Sequence, residues 1–301
     1  MRVRQSNWPS WKSMTESPCP STDTPVTLAQ ALREGQAAGL ERLDAQLLLL
    51  HAVGQDARDR SWLLIHDGDL LTTEQHALWQ QLMRRRLAGE PVAYLRGFHA
   101  FYGLQLAVDA RVLDPRPDTE TLVDWALELL PTFADQPCIA DLGTGSGAIA
   151  CAIAANAPYA RVHACDASDD ALAVARSNAE RLQLPVQFAH GSWLQAFGPQ
   201  APRFDLIVSN PPYIPDDDPH LAALRHEPLS ALASGADGLD DIRAIIAQAP
   251  FYLKPGGWLL LEHGHDQSVA VQALLCEQGF TQVQSRNDLA GIARCTGGQW
   301  T

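Results

Sequence analysis

The stretch Cys138-Ile-Ala-Asp-Leu-Gly-Thr-Gly-Ser-Gly147 decides the fold, because it joins a short apolar strand to a glycine-rich loop. Residues 138–142 are predicted to form the strand, and an apolar helix is predicted over residues 148–156, directly after the loop. Glycine lets the backbone turn sharply and approach a ligand closely, and the first N–H groups of the helix face that ligand. The stretch therefore predicts a strand–loop–helix unit with a ligand at the end of the strand.

Strands and helices alternate through the rest of the C-terminal part. Strands are predicted over 161–165, 186–189, 204–209 and 258–262, with a terminal pair over 282–285 and 292–296, and helices over 171–182 and 241–253. Such alternation implies right-handed crossovers and a mostly parallel sheet. The predicted fold class is α/β, with a Rossmann-like sheet of seven strands.

The first third of the chain has a different pattern. Thr27 is predicted to cap the first helix of a small bundle, and Thr73 is predicted to cap a later one. Tyr94 is placed in a short β-hairpin, and the prolines of segment 114–118 exclude a helix there. The predicted domains are a disordered tail (1–25), a helical bundle (26–91), a β-hairpin with linker (92–118) and the α/β domain (119–301).

Composition and charge narrow the class of protein. The chain has 301 residues and a net charge of −13, so no overall positive field attracts nucleic acid or an anionic membrane. No stretch approaches the roughly 18 consecutive apolar residues that a transmembrane helix needs. The six cysteines form no pair or cluster with metal-binding spacing. We therefore expect a cytoplasmic protein that has no metal and no stable contact with nucleic acid or membrane.

An acid follows the second strand of the α/β domain. Asp166 lies 23 positions after Gly143, and an acid at this place accepts hydrogen bonds from ribose hydroxyls. A nicotinamide dehydrogenase stays open on this evidence, because Ala148 is an allowed variant of the last glycine in its fingerprint. Glycines that serve only strand–helix packing are the other alternative. Together the loop and the acid favour a nucleoside ligand.

The motif Asn210-Pro-Pro-Tyr213 indicates the chemistry, since it follows an apolar strand and so lies at the same sheet edge as the glycine loop. An amide or base amino nitrogen is a poor nucleophile. The Asn210 side-chain carbonyl and the Pro211 backbone carbonyl could accept its two N–H groups and orient it for attack on a sulfonium methyl. Tyr213 offers a flat face for a planar group. The prediction is methyl transfer to such a nitrogen by positioning, although a proline-rich turn that binds nothing is an alternative.

Over residues 26–297 the chain resembles the glutamine methyltransferases that modify class-1 peptide chain release factors (PrmC/HemK type). The motifs that carry the resemblance are Pro91-Val-Ala-Tyr-Leu95, Pro115-Arg-Pro-Asp-Thr-Glu120, Asp141-Leu-Gly-Thr-Gly-Ser-Gly147, Asn210-Pro-Pro-Tyr-Ile214, Glu227-Pro228 and Leu261-Glu262. The chain departs from the family pattern at Ala100, Asp114 and Asp118, near the hairpin and linker. The resemblance implies a class I methyltransferase fold and transfer of a methyl group from S-adenosylmethionine to the glutamine of a Gly-Gly-Gln motif.

The resemblance also implies a set of site residues. Cofactor contacts would come from Gly143, Thr144, Gly145, Ser146, Gly147, Asp166, Trp193 and Asn210, and substrate contacts from Asn210, Pro211, Pro212 and Tyr213, with Arg116 and Glu120. The catalytic residues among these would be Asn210, Pro211 and Tyr213. Trp193 could instead be an ordinary core aromatic residue, and Arg116 and Glu120 could form a pair that only fixes the linker. The helical bundle would recognise the protein partner.

Three other functions stay open at this point. A related enzyme that modifies a glutamine of a ribosomal protein would share the same core. A DNA or RNA amino-methyltransferase faces the same nitrogen chemistry, but it needs a basic surface that this acidic chain lacks. A silent binding module would have no reason to keep Asn210-Pro-Pro-Tyr213. The tripeptide Gly297-Gly298-Gln299 also raises self-methylation as a hypothesis.

Overall fold

The computed structural model describes residues 25–133 and 135–301, so most of the predicted disordered tail lies outside the described residues. The helices are α1 (Leu28–Ala37), α2 (Arg42–Ala52), α3 (Trp62–Ile65), α4 (Thr73–Leu87), α5 (Val92–Arg96), α6 (Glu120–Leu129), α7 (Ala148–Asn156), α8 (Asp169–Arg181), α9 (Asp240–Tyr252) and α10 (Ser268–Gln278). The strands are β1 (Phe98–Phe101), β2 (Leu104–Ala107), β3 (Cys138–Leu142), β4 (Arg161–Asp166), β5 (Val186–His190), β6 (Phe204–Ser209), β7 (Leu253–Glu262), β8 (Thr281–Asn287) and β9 (Ala293–Gln299).

Seven of these strands form one twisted sheet in the order β5-β4-β3-β6-β7-β9-β8. The first five are parallel, and β9 runs antiparallel between β7 and β8. The chain adds β4 and β5 on one side of β3 and then continues with β6 and β7 on the other. A ligand crevice forms at such a switch in strand order, just beyond the carboxyl ends of the strands. The predicted α/β class with seven strands is confirmed.

Apolar helices cover both faces of the sheet, and for this reason every residue of β3 is buried. Helices α6 and α7 pack on one face, while α9 and α10 pack on the other. The sequence pattern had predicted α7, α8 and α9 but neither α6 nor α10.

The N-terminal helices have their own core around the buried side chains of Trp79 and Leu48. The prediction that Thr27 caps α1 is confirmed by a capping box in which its side chain accepts from Gln30 N–H. The predicted cap at Thr73 is wrong by one residue. Thr72 is the extended residue whose side chain accepts an N–H bond, and Thr73 is already helical.

The β-hairpin of β1 and β2 is present, but Tyr94 lies on the short helix α5 before it rather than in the hairpin. Helix α5 follows Pro91 and ends where Gly97 takes a left-handed conformation. The hairpin is fixed to the α/β domain by Asn178 of α8, which is fully buried. Its amide pairs with both backbone groups of Ala107 and also donates to the Ser146 carbonyl in the glycine loop.

Candidate active site

Four strand ends bring the candidate site residues into one row. The register pairs Leu142 of β3 with Cys165, with Ser209 and, through Ser209, with Leu261 on the neighbouring strands. The next residues along the four strands are Asp166, Gly143, Asn210 and Glu262. Hydrogen-bond register alone therefore sets these residues side by side at the carboxyl edge of the sheet.

The glycine loop follows the route that its residues require. Gly143 and Gly145 both have positive φ, 66° and 54°, in the region that L side chains rarely adopt. Gly145 N–H donates to one carboxylate oxygen of Asp166 at 2.9 Å, and Ser168 N–H donates to the other at 2.9 Å. The acid that the sequence singled out is thus held by backbone at both oxygens, each of which keeps a lone pair for a further donor.

The ring of Trp193 packs against the glycine loop. A Cβ on Gly143 would lie only 3.0 Å from the Trp193 ring, so the ring rests directly on the loop backbone. Trp193 also has a positive φ of 47°, and strained backbone of this kind concentrates at ligand sites. The side chain packs against one core cluster and at the same time faces the cavity described next. Its core packing is therefore observed, while the cofactor contact predicted from the sequence stays a prediction that its place in the cavity wall allows.

These residues line a cavity of about 400 Å³, within the size range of sites for small molecules. Of the residues proposed from the sequence, it contains Gly143, Gly145, Asp166, Trp193, Asn210 and Pro212. Thr144 and Ser146 are buried behind the loop and do not line the cavity, nor does Gly147, whose positive φ begins α7. These three residues shape the loop, and their predicted contacts with the cofactor stay predictions.

Asp141 is a supporting residue that the sequence argument did not assign a role. It is fully buried beneath the loop, where one oxygen accepts from the Thr144 hydroxyl at 2.6 Å and from Ala150 N–H at 3.1 Å. Burial raises the pKa of this carboxyl to about 7. The position of Asp141 in the sequence could have indicated this role, because an acid buried one residue before the end of a strand is costly unless it is hydrogen-bonded.

A second, smaller cavity of about 70 Å³ adjoins the first. Asn210, Leu113 and Ala231 line both cavities, whereas Arg116 and Tyr213 line only the smaller one. The volume is of the order of one side chain, and Asn210 lies at the junction. A reactive group in the large cavity and a side chain in the small one would therefore meet at Asn210.

A short chain of polar side chains supports this junction from behind. Asn210 Nδ2 donates to the Thr119 hydroxyl at 3.2 Å. The carboxyl of Glu262, which is 1% exposed, lies near the Thr119 and Tyr213 side chains. Burial raises the pKa of Glu262 to about 7, and it raises the pKa of Tyr213 above its usual value.

Comparison with known proteins identifies the family of this chain. The PrmC N-terminal domain family matches residues 27–97, and the Methyltransferase small domain family matches residues 120–226. The release factor glutamine methyltransferase of Bordetella pertussis is 50% identical over 86% of this chain and 95% of its own length. That of Burkholderia pseudomallei is 46% identical over 92% of this chain and 97% of its own length.

The chain belongs to the release factor glutamine methyltransferase family. The resemblance drawn from the sequence motifs is thereby confirmed. The fold agrees with a solved methyltransferase from Pyrococcus furiosus, which is 19% identical, has a TM-score of 0.50, and covers 73% of this chain and 98% of that one.

Within this family fold, the substrate-side ion pair differs from the one considered from the sequence. Arg116 pairs with Glu227, whose side chain is 3% exposed, at 2.6 Å, and lies 3.7 Å from Asp114. Glu120 lies outside both cavities. Because the acids beside Arg116 are Glu227 and Asp114, the Arg116–Glu120 pair considered from the sequence is wrong. Glu120 is the first residue of α6 and turns toward the hairpin tip, where it accepts from Tyr102 N–H at 2.8 Å.

The Gly297-Gly298-Gln299 tripeptide lines neither cavity. Gln299 pairs with Trp258 on β7, four residues before Glu262, and its amide donates to the Gly256 carbonyl. The structure therefore gives no support to self-methylation within the folded chain, which stays a hypothesis. Among residues 25–133 and 135–301, no group of three or more His, Cys, Asp or Glu side chains could hold a metal, and no helix is long and apolar enough to cross a bilayer.

Proposed function

We propose that this chain transfers a methyl group from S-adenosylmethionine to the side-chain amide nitrogen of the glutamine in the Gly-Gly-Gln motif of class-1 peptide chain release factors. The observation that carries the proposal is the junction at Asn210, where a cavity of nucleoside size meets a cavity of side-chain size. The family and the names of its members support the same reaction.

The residues of the large cavity fit S-adenosylmethionine. Asp166 points its carboxylate into the cavity, where ribose hydroxyls would donate to it, and Trp193 offers an aromatic face for adenine. The backbone of Gly143 and Gly145 lets the ligand approach closely. When bound, the cofactor supplies an electrophilic methyl group on a sulfonium.

In this proposal Asn210 and Pro211 orient the substrate amide. The Asn210 carbonyl and the Pro211 backbone carbonyl each accept one N–H, which turns the nitrogen lone pair toward the large cavity. Pro211 and Pro212 restrict their own backbone, so both acceptors are held without the entropy cost that a flexible loop has. Tyr213, half-buried beside the small cavity, packs against the planar group. The cofactor would leave as the neutral thioether S-adenosylhomocysteine, and the methylated amide nitrogen, acidic while it is cationic, would release one proton to water, so no strong general base is required.

The same proposal assigns the outer parts of the molecule to partner recognition. The helical bundle at 26–91 contacts the release factor, and Arg116 in the linker lies on the substrate side. The chain's net charge of −13 disfavours a nucleic-acid substrate, and no metal takes part.

The test is a methyl-transfer assay on purified release factor with labelled S-adenosylmethionine, followed by peptide mass mapping. We expect one methyl group on the Gly-Gly-Gln glutamine and a loss of at least about 100-fold in Asn210→Ala, since removal of one preorganised polar group at a reacting centre costs this much. Asn156→Ala at the end of α7 is the matched control, because its side chain bonds only its own helix. No transfer to release factor, with cofactor still bound, would contradict the proposal.

A further inference from the structure

The two prolines of the Asn-Pro-Pro-Tyr motif leave its middle without backbone donors. Pro211 and Pro212 have no N–H, so neither residue can be fixed by donating a backbone hydrogen bond. The proline ring fixes φ but not ψ, and ψ of Pro211 sets the direction of the Pro211 carbonyl. In the function proposed above, this carbonyl accepts an N–H of the substrate amide. Its direction therefore depends on how the two ends of the motif are held.

The first end of the motif is held by the sheet. Ser209, the last residue of β6, pairs with Leu142 on one side and with Leu261 on the other. Its hydroxyl also donates to the Leu142 carbonyl at 2.8 Å. Asn210 follows directly, so strand register fixes where the motif begins.

The far end of the motif is Tyr213, and both of its backbone groups are bonded. Tyr213 N–H donates to the Leu232 carbonyl at 3.2 Å, and the Tyr213 carbonyl accepts from Gln267 Nε2 at 3.0 Å. Gly238 packs against the same carbonyl, because a Cβ at this position would lie only 2.2 Å from the Tyr213 oxygen. Only glycine lets the backbone pass this closely. The far end is therefore enclosed from behind by two other segments of the chain.

Gln267 lies at the start of α10, and three hydrogen bonds fix the orientation of its side-chain amide. Nε2 donates to the carbonyls of Tyr213 and Asp237, at 3.0 Å and 3.3 Å. Oε1 accepts from Gly264 N–H at 2.8 Å. An amide turned by 180° would place its oxygen against two carbonyls and its NH₂ group against an N–H. The side chain of Gln267 therefore acts as a donor to the motif.

We infer that Gln267 is a positioning residue for methyl transfer, which keeps the Pro211 carbonyl directed at the substrate amide by holding the Tyr213 carbonyl from behind. The inference rests on the function proposed above. Gln267 lines neither cavity, so it acts through the backbone of the motif rather than on a ligand. Without its donated bond, the far end is held through the N–H groups of Tyr213 and Ile214, which both donate to Leu232. The motif then gains freedom to turn about ψ of its two prolines.

The experiment replaces the donor with an acceptor of the same shape, in Gln267→Glu. At pH 8 the introduced carboxylate cannot donate, and we expect kcat for methyl transfer to release factor to fall about 10- to 100-fold, the cost of misplaced reacting groups. The dissociation constant of S-adenosylhomocysteine, measured by calorimetry, should stay within about twofold, because Gln267 lies outside the large cavity. Gln272→Glu is the matched control, since it makes the same change on the same helix, where the amide donates to Ser285 instead. Wild-type kcat in Gln267→Glu would overturn the proposal.

A pH profile separates positioning from a general loss of structure. Two neighbouring carbonyls disfavour the ionised form of the introduced carboxyl, and the protonated form can donate to Tyr213 while its other oxygen accepts from Gly264. The kcat of Gln267→Glu relative to the wild type should therefore rise at least about threefold from pH 8 to pH 6. Gln267→Met, uncharged and of similar length, should stay low at both. An equal loss at both pH values in Gln267→Glu would overturn the proposal.

A further measurement is independent of activity. The N–H groups of Tyr213 and Ile214 should exchange with solvent about tenfold faster in both Gln267 variants than in the wild type and Gln272→Glu, because the far end of the motif opens more often. Equal exchange in all four proteins would overturn the proposal even if release factor is the substrate. Faster exchange confined to the Gln267 variants, combined with no methylation of release factor by the wild type, would uphold the positioning and reject the proposed substrate.

Discussion

The two adjoining cavities are built in different ways although they share Asn210. The large cavity is bounded in part by backbone: glycines of positive φ, together with the Asp166 carboxylate, which two N–H groups hold. The small cavity is lined by side chains, and two of them bond groups outside the lining: Arg116 bonds Glu227, and Asn210 bonds Thr119. Ligand binding at a site built from backbone depends on the backbone conformation, whereas binding at a site built from side chains depends on their charges and hydrogen bonds. Substitutions in the two cavities should therefore have different effects.

The largest effect is expected from Asp166→Ala. This change removes the proposed ribose acceptor and also the acceptor of Gly145 and Ser168 N–H, so the loop loses its anchor. Hydrogen bonds to a charged group contribute about 1.5–3 kcal/mol each, which predicts roughly 100-fold weaker binding of S-adenosylhomocysteine by calorimetry. Asp170→Ala, on the exposed side of α8, is the control and should bind normally. Unchanged affinity in Asp166→Ala would place the nucleoside elsewhere.

On the side of the small cavity, Arg116→Gln should separate the two cavities. It leaves Glu227 with its buried carboxylate unpaired, which distorts the substrate side while the glycine loop stays intact. We expect KM for release factor to rise about tenfold and the affinity for S-adenosylhomocysteine to stay unchanged. Arg116→Gln should also lower the melting temperature. The additional substitution Glu227→Gln should recover part of this loss, because it removes the unpaired buried carboxylate.

Arg58→Gln is the control for this ion pair. Arg58 also contacts a carboxylate at 2.7 Å, but its side chain is 91% exposed. Exposed pairs contribute little, so neither KM nor melting temperature should change measurably. A larger effect from Arg58→Gln than from Arg116→Gln would mean that burial does not explain the importance of the pair.

The pH dependence of stability should reveal the buried acid behind each cavity. Burial raises the pKa of Asp141 and of Glu262 to about 7 in the folded protein, above the values of about 4 that carboxyls have when unfolded. Between those values the folded state binds more protons than the unfolded state, so stability is greatest below pH 4 to 5 for these groups and is lost as pH rises through 7.

The measurement is the melting temperature between pH 5 and 8 for the wild type, Glu262→Gln and Asp141→Asn. Each substitution should flatten the decline by on the order of 1 kcal/mol, or roughly 2–4 °C, because it removes one titrating group. A slope unchanged from the wild type in Glu262→Gln would mean that this carboxyl is ionised over the whole range.

The difference between the two cavities also explains which of the candidate site residues could be predicted from the sequence. Gly143, Asp166 and Asn210 were found because each lies in a local pattern, a loop or acid or motif directly after an apolar strand. Thr119 and Glu262 were given no role from the sequence: Thr119 bonds Asn210 across more than 90 positions, and Glu262 lies on a neighbouring strand, so only the three-dimensional fold brings them to Asn210. Glu262 is the last residue of the predicted strand 258–262, at the same edge as Asn210, and this was a signal that could have been used.

The positions at which this chain departs from the usual family pattern show the same limit. Asp114 and Asp118 depart from the family pattern in a linker, where sequence alone gives no partner. In the structure Asp114 lies 2.6 Å from His99 Nδ1 of the hairpin, and Asp118 lies 3.1 Å from Arg294 of β9. Both departures therefore occur with a basic partner, each supplied by a different element of the fold. Ion pairs of this kind depend on the three-dimensional arrangement, which no local pattern encodes.

The smallest effect is expected from Arg225→Ala. Arg225 directly follows Leu224, which lines the small cavity, and it contacts the helical bundle. Arg225 and His226 both contact the carbonyl of Ala88 at the end of α4; Arg225 is exposed and His226 is half-buried. Arg225→Ala should change the melting temperature by less than about 1 °C, and should raise KM for intact release factor by no more than about threefold. KM for a short Gly-Gly-Gln peptide, which cannot reach the bundle, should not change. If the peptide and the intact factor responded equally, Arg225 would act on the small cavity itself, and the bundle would contribute nothing through this contact.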